Sequence, residues 1–163
     1  MTDPYQALVS FQQALVLGNI DLRPGTLDPK LYVFPDKPEG RMRLTYVRLE
    51  EMAVTALVSV VHADPIGGVP CFQIGYAVAG PYRGQGRAIE AVTAALAEME
   101  YGFAKAGITA FYVEAIIDAG NETAHAVARR TLSATPEQMA DTPSGEAPSL
   151  QYVRKFGTQP TNQ

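Results

Sequence analysis

The stretch CFQIGYAVAGPYRGQGRAIEAV, residues 71–92, decides the fold of this chain. Its first part, Cys71 to Ala79, alternates with the period of two that is typical of a β-strand. One face of this strand carries larger apolar side chains, at Phe72, Ile74, Tyr76 and Val78. The other face is small or polar, so another group can approach it closely. A glycine-rich turn follows and a helix begins near Arg87, which predicts a strand, a turn and a helix in succession.

The turn, residues 80–88 (GPYRGQGRA), indicates an anion site. Unpaired N–H groups and the helix macrodipole place partial positive charge at a helix N-terminus. Gly84 and Gly86 permit positive φ and close approach, and Arg83 and Arg87 add charge-assisted bonds to phosphate oxygens. The lysine and hydroxyl pair of a nucleotide-triphosphate loop is missing, as is the third glycine of a dinucleotide fingerprint. A phosphate or pyrophosphate is therefore the expected ligand.

Upstream of the turn, the pattern predicts three antiparallel strands in a meander, at residues 41–50, 52–62 and 71–79. Asp3 and Pro4 indicate a helix start, and the helix is expected to end at Gly18. Four prolines in residues 19–40 favour an ordered surface loop.

Downstream of the turn, apolar residues at helical spacing predict a long helix from Arg87 until Gly107. A strand at 111–117, a short helix capped by Asn121 and a last strand at 150–156 follow. The right-handed crossover rule makes the strands on either side of the long helix parallel.

The whole pattern predicts an α/β fold, of the α+β kind with a mixed sheet, in a single domain over residues 1–163. This domain would comprise a helix and proline-rich loop (1–40), a core (41–132) and a variable C-terminal segment (133–163).

Composition excludes several classes of function. A chain of 163 residues with one cysteine and two histidines forms no intrachain disulfide and no cysteine–histidine zinc cluster. Cys71 is interpreted as a small core residue. The net charge of −4 argues against a nucleic-acid partner. The absence of a membrane-length apolar run and of a signal sequence predicts a cytoplasmic protein with no membrane partner.

Arg83, Gly86 and Ala88 match the acetyl-CoA-binding motif Arg/Gln-x-x-Gly-x-Gly/Ala of the GNAT N-acetyltransferase superfamily. The segments IGYAVAGPYRGQGRAIEAV, EYGF and FYVEAIIDAGNETA resemble the branch that includes the ribosomal-protein N-terminal acetyltransferases, over residues 72–130. The resemblance implies a GNAT-like sheet with a CoA cleft between two splayed parallel strands. It also implies acetyl-CoA as cosubstrate, an amine acceptor and no metal.

The resemblance also implies a set of cofactor-binding residues. The backbone of Tyr76, Ala77 and Val78 would pair with the pantetheine arm, as an added strand would. The loop amides would hold the pyrophosphate, at Arg83, Gly84, Gln85, Gly86, Arg87 and Ala88. Asn121 would contact CoA, or act only as a helix cap.

Four positions in or after the second helix depart from the family pattern. Ala128 stands where many relatives have a tyrosine that protonates the leaving thiolate, and Ala124 stands where some have a serine. Leu132 and Ser133 replace a Gly-Phe pair at the end of the second helix. The usual general acid is therefore absent.

The catalytic candidates are Glu114 and His125. Glu114 lies on the strand expected to face the cleft, and it is interpreted as a base or as a solvated or paired strand carboxylate. His125 shares a helix face with Asn121, so it would lie beside the thiol, or else be a packed or surface residue. Tyr152 is a substitute acid to consider.

The expected function is transfer of an acetyl group from acetyl-CoA to an amine of a protein N-terminus or a small molecule. Two alternatives remain: a non-catalytic CoA-binding or regulatory module, and a nucleotide or flavin binder that uses the same turn. The acceptor is not identified by the sequence, and a homodimer is left open.

Overall fold

The computed structural model describes residues 1–138 and 148–157, which form one mixed sheet and three α-helices. The strands of this part are β1 (Arg23–Pro24), β2 (Leu31–Asp36), β3 (Arg43–Glu50), β4 (Ala53–Ile66), β5 (Val69–Val78), β6 (Ala110–Asp118), β7 (Glu137–Gln138) and β8 (Ser149–Gly157). The helices are α1 (Pro4–Val16), α2 (Arg87–Lys105) and α3 (Glu122–Thr131). In space the strands follow the order β1-β2-β3-β4-β5-β6-β8-β7.

One face of the sheet is covered by α1. The Asp3 carboxylate caps this helix by accepting from the Gln6 N–H at 3.0 Å, and Pro4 stands in its first turn. The apolar stripe of the helix packs against β3 and β4 in a cluster formed by Leu8, Phe11, Leu15, Val47, Val54 and Leu57. The predicted helix start and meander are confirmed.

The opposite face is covered by α2 and α3, and it holds the larger core. Phe72 and Ile74 of β5 are buried there with Val92 and Met99 of α2. Phe72 also lies 4.8 Å from Phe103 and 5.9 Å from Phe111, measured between ring centroids. The apolar face that the alternation of β5 predicts is therefore the face that meets α2.

The decisive feature of the sheet is the incomplete pairing of β5 with β6. These strands are parallel, as the crossover rule predicts, but their ladder covers only residues 71–73 of β5 and 112–114 of β6. Beyond Gln73 and Glu114, β5 stays paired with β4 and β6 stays paired with β8. The two strands therefore splay, and their facing edges leave backbone groups for a ligand.

Residues 19–40 are not only a surface loop, and this prediction is wrong in part. The strand β2 pairs with β3 over its whole length, and its first residue, Leu31, is fully buried. Pro35 is tolerated in β2 because β1 pairs only with Tyr32 and Val33, so no neighbouring strand needs a donor from Pro35 on that side. The two-residue strands β1 and β7 were not predicted either.

The loop between β1 and β2 is tied to α2 by one carboxylate. Glu98 accepts from the backbone N–H groups of Thr26, Leu27 and Asp28 at 2.6–3.0 Å. Asp28 in turn pairs with Arg48 at 2.6 Å, and this guanidinium holds the pKa of the Asp28 carboxyl below its usual value.

In the described residues, no helix is long and apolar enough to cross a membrane.

Candidate functional site

A cleft of about 720 Å³ lies where β5 and β6 splay. One wall is the end of β5, from Ile74 to Val78, and the other is the end of β6, from Ala115 to Asp118. The turn before α2 and the start of α3 close it on one face of the sheet, and the first residues of α1 border it on the other. The cleft therefore reaches both faces of the sheet.

The glycine-rich turn has the geometry that an anion site requires. Gly84 and Gly86 have φ of +75° and +72°, and a Cβ on either would meet nothing within 4 Å. Gly86 is the N-cap of α2, and no side-chain bond caps the helix there. The free N–H groups of its first turn therefore point into a space bordered by Arg87, Ala88 and Ile89. These residues fit a pyrophosphate.

Both arginines of the turn are held by weak surface contacts. The Arg83 Nε donates to the Val78 carbonyl at 3.0 Å, and its guanidinium lies 5.3 Å from the Tyr5 ring centroid. Arg87 pairs with Glu50 at 2.8 Å and donates through Nε to Gln85 at 3.0 Å. Exposed contacts of this kind contribute little free energy, so a phosphate can replace them.

Tyr76 spans the cleft from β5 to α3. Its hydroxyl donates to the Ala124 carbonyl at 2.7 Å, and burial raises the pKa of Tyr76 far above its usual value. The hydroxyl is therefore a donor at any physiological pH. Asn121 accepts from the Ala124 N–H at 3.2 Å and also borders the cleft, so it caps α3 and lies within reach of a ligand.

Glu114 lies at the closed end of the splay. It forms the last rung of the β5–β6 ladder with Gln73, and it is 9% exposed. Its Oε2 accepts from the Gln151 Nε2 at 2.6 Å. The side chain points to the face of the sheet that carries α1, as do those of Ile116 and Asp118, which border the cleft directly. Glu114 itself lies just behind this border.

His125 and Tyr152 lie in the interior and not in the cleft. His125 is 2% exposed, and its Nε2 lies 2.9 Å from the Asp118 carbonyl, so this nitrogen carries the proton. Nδ1 therefore accepts from the Tyr152 hydroxyl at 2.9 Å. Tyr152 is fully buried. Because both groups are engaged inside the fold, this arrangement speaks against a role for either in proton transfer.

The first residues of α1 form a wall of the cleft that sequence reasoning missed. Asp3, Pro4 and Tyr5 border the cleft, and a Cβ on Gly75 would lie 2.7 Å from Pro4 and 2.9 Å from Met1. The small face of β5, which Gly75 and Ala77 share, is therefore covered by α1. The small side chains on this face of β5 indicated that another group approaches it closely, but the sequence did not show that this group is the start of α1.

The departures from the family pattern appear in α3. Ala128 is fully buried in the core, and Ala124 borders the cleft only with a methyl group and its backbone. The helix ends at Thr131, and Leu132 is its C-cap. In the part of the chain that is described, no group of three or more histidine, cysteine or acidic residues is arranged to hold a metal ion.

A family model described as an acetyltransferase (GNAT) domain matches residues 35–131. No curated protein sequence matches the chain. Among solved structures, a GNAT-family acetyltransferase from Streptococcus pneumoniae superposes with a TM-score of 0.53 at 10% identity, over 71% of this chain and 67% of that one.

Two further solved structures are similar at lower TM-scores. The ribosomal-protein-S18-alanine N-acetyltransferase from Escherichia coli gives a TM-score of 0.49 at 15% identity, over 74% of each chain. An acetyl transferase from Salmonella typhimurium that modifies the N-terminal serine of ribosomal protein L7/L12 gives 0.47 at 21% identity, over 70% of this chain and 64% of that one.

The family model covers more than half of the sequence, including the splayed strands, the turn and α3. The pneumococcal structure supports the same fold. This chain belongs to the GNAT family of acetyltransferases.

Proposed function

We propose that this protein transfers the acetyl group of acetyl-CoA to a primary amine. The observation that carries the proposal is the coincidence of two features: the β5–β6 ladder opens beyond Gln73 and Glu114, and the uncapped start of α2 borders the same gap. An amide-rich pantetheine arm suits the open strand edges, and a pyrophosphate suits the helix N-terminus.

Each part of the cofactor has matching residues in the cleft. The backbone of Tyr76, Ala77 and Val78 would pair with the pantetheine amides, which requires the Arg83 Nε to release the Val78 carbonyl. Arg83 and Arg87 would then pair with the phosphates, together with the free N–H groups of the turn. Asn121 would contact the arm from α3.

Acetyl-CoA supplies a thioester carbon that an amine can attack, and the chain contributes position and proton transfer. A backbone N–H of residues 76–78 would polarise the carbonyl. Glu114, at the closed end of the cleft, would accept the proton of the amine. The raised pKa of Tyr76 keeps its hydroxyl protonated, and this proton is donated to the Ala124 carbonyl, so Tyr76 ties β5 to α3 across the cleft.

The acceptor we propose is an α-amine. At pH 7 a lysine amine costs about 4.6 kcal/mol to deprotonate, whereas an α-amine costs about 1.4 kcal/mol. No tyrosine stands at position 128, and His125 and Tyr152 are engaged with each other in the interior. A site with so little acid–base assistance favours the amine that needs least. A thiolate with a pKa of ~8.5 also leaves without strong acid assistance.

A non-catalytic CoA-binding module is the second candidate, because Ala128 and Ala124 stand where relatives carry the tyrosine that protonates the thiolate or the serine that could replace it. Measurements of acetyl-CoA binding and of CoA release distinguish the enzyme from the non-catalytic module. Acetyl-CoA at a hundred times its Kd should stabilise the fold by ~2.7 kcal/mol and raise Tm, whereas ATP and NAD should not. CoA release with peptides that carry a free α-amine would establish the enzyme. Stabilisation without release would favour the module, and no stabilisation would refute both.

A further inference from the structure

The buried carboxylate of Glu114 has one side-chain donor within the described residues, and this is the Gln151 amide. The strands β6 and β8 pair so that Ile116 lies opposite Gln151 and Glu114 lies opposite Val153. Gln151 is therefore the diagonal neighbour of Glu114 on the same face of the sheet, a position within reach of long side chains. Its Nε2 lies 2.6 Å from the Glu114 Oε2.

The direction of this bond follows from chemistry. An ionised carboxylate only accepts, so the Gln151 nitrogen must be the atom that faces it. The bond fixes one of the two carboxylate oxygens of Glu114. No described residue donates to Oε1, which leaves that oxygen for a proton from an acceptor amine.

Other ionisable groups share this face of the sheet. Tyr112 and Asp118 lie on β6 with Glu114, and Lys155 of β8 is its second diagonal neighbour, with Nζ 5.6 Å from the Tyr112 ring centroid. Cys71 lies nearby on β5, and burial together with the Glu114 charge raises the pKa of the Cys71 thiol to about 12, so the thiol stays neutral. On the other side, Glu137 of β7 pairs with Gln151 and is exposed. A neutral thiol is only a weak donor, and none of these groups is hydrogen-bonded to Glu114 among the described residues.

We propose that Gln151 is a positioning residue for acetyl transfer, which holds the Glu114 carboxylate at the closed end of the cleft with Oε1 directed to the acceptor amine. This inference rests on the proposed function. In the step it supports, the amine nitrogen forms a bond to the acetyl carbon, its proton passes to Glu114 Oε1, and the carbon–sulfur bond breaks with release of CoA thiolate. Glu114 later returns the proton to solvent.

The test is a double-mutant cycle on kcat with the substitutions Glu114→Gln and Gln151→Met. Gln151→Met keeps the length of the side chain but removes the amide that donates to Glu114. Glu114→Gln should lower kcat at neutral pH by roughly 10²–10⁴-fold. Gln151→Met should lower it by roughly tenfold to a hundredfold, with the acceptor KM and the acetyl-CoA Kd unchanged. In the Glu114→Gln background, Gln151→Met should have no further effect, because the group it positions is gone.

The pH profile gives a readout that a purely structural role would not change. As pH rises, more of the amine is neutral and a base has less to do, so both single defects should shrink in parallel. Gln73→Met is the matched control, since Gln73 faces Glu114 across the ladder without a side-chain bond among the described residues. It should retain the wild-type kcat. Gln151→Asn, which keeps an amide, should recover part of the rate.

The possible failures are distinguishable. If Gln151→Met lowers kcat equally in the presence and absence of Glu114, or leaves kcat unchanged in a folded protein, the positioning role is wrong. If the wild type releases CoA but Glu114→Gln is equally active, the acetyltransferase stands and Gln151 has no base to position. If the wild type binds acetyl-CoA and releases none with any amine, both the proposed function and this inference fail.

Discussion

At the scale of single residues, Gly86 shows how backbone conformation and chemistry meet in the turn. Its φ of +72° is in the left-handed region, where a side chain is strained, and nothing occupies the space that a side chain would enter. An open position of this kind, which glycine adopts without strain, is expected at the uncapped start of α2 if a ligand rather than the protein makes the contacts.

We expect Gly86→Asp to weaken acetyl-CoA binding at least tenfold, because a carboxylate would stand where the pyrophosphate lies and repel it; calorimetric titration measures this. Gly68→Asp is the matched control. Gly68 has φ of +79° and open space around it, but it lies in the turn between β4 and β5. The two variants should therefore lose similar stability, and only Gly86→Asp should lose affinity. Equal affinities would mean that the anion site lies elsewhere.

Single residues also show what sequence can and cannot predict about the site. The positive φ of Gly84 and Gly86 follows from the local pattern, because only neighbouring residues determine a turn. The His125–Tyr152 bond cannot be predicted from the local pattern, since it joins α3 to β8 and depends on the register between β6 and β8. The Gln151–Glu114 bond was missed for the same reason.

At the scale of elements, the sequence predicts the parts whose periodicity is undisturbed. The helices α1 and α2 and the meander of β3, β4 and β5 follow from spacing alone. The strand β2 was missed because Pro29 and Pro35 favour a loop, whereas pairing with β3 and burial of Leu31 outweigh that preference. Tertiary context decides such short segments.

The anchor between α2 and the loop before β2 gives a prediction at this scale. Glu98 accepts three backbone N–H groups, from Thr26, Leu27 and Asp28, so Glu98→Ala should lower the free energy of unfolding by about 2–3 kcal/mol. Glu98→Gln keeps one acceptor oxygen and should lose less. Urea unfolding measures both. Equal, negligible losses would show that the loop holds its position without Glu98.

At the scale of the whole molecule, the cleft is built by elements far apart in the sequence. It needs the end of the β5–β6 ladder, the start of α2, the start of α3 and the first residues of α1. Local patterns predicted the first three, because they lie within one strand-helix-strand-helix unit. The place of α1 could not be read from its own amphipathic pattern, which says that a face is buried but not against which strand.

Cys71 offers a probe of the stability of this whole arrangement. It lies at the closed end of the splay, paired with Ala63 and Tyr112, and it is 1% exposed. Burial, with smaller contributions from the Glu114 and Asp64 charges, raises the pKa of its thiol to about 12. Because the thiolate is the nucleophile that attacks a thiol reagent, the folded protein should react very slowly at neutral pH, and reaction should require the sheet to open.

Acetyl-CoA should therefore slow the modification of Cys71 without touching it, since Cys71 does not border the cleft. If labelling requires global unfolding, acetyl-CoA at a hundred times its Kd should slow labelling by a disulfide reagent about a hundredfold, the same factor by which it shifts the folding equilibrium. In Gly86→Asp, the same concentration of acetyl-CoA should protect far less. A fast reaction in the free protein, at the rate of an unfolded cysteine, would mean that β5 separates from β6 beyond the splay. Slow labelling that acetyl-CoA leaves unchanged would place the opening at Cys71 in a local fluctuation that does not disturb the cleft.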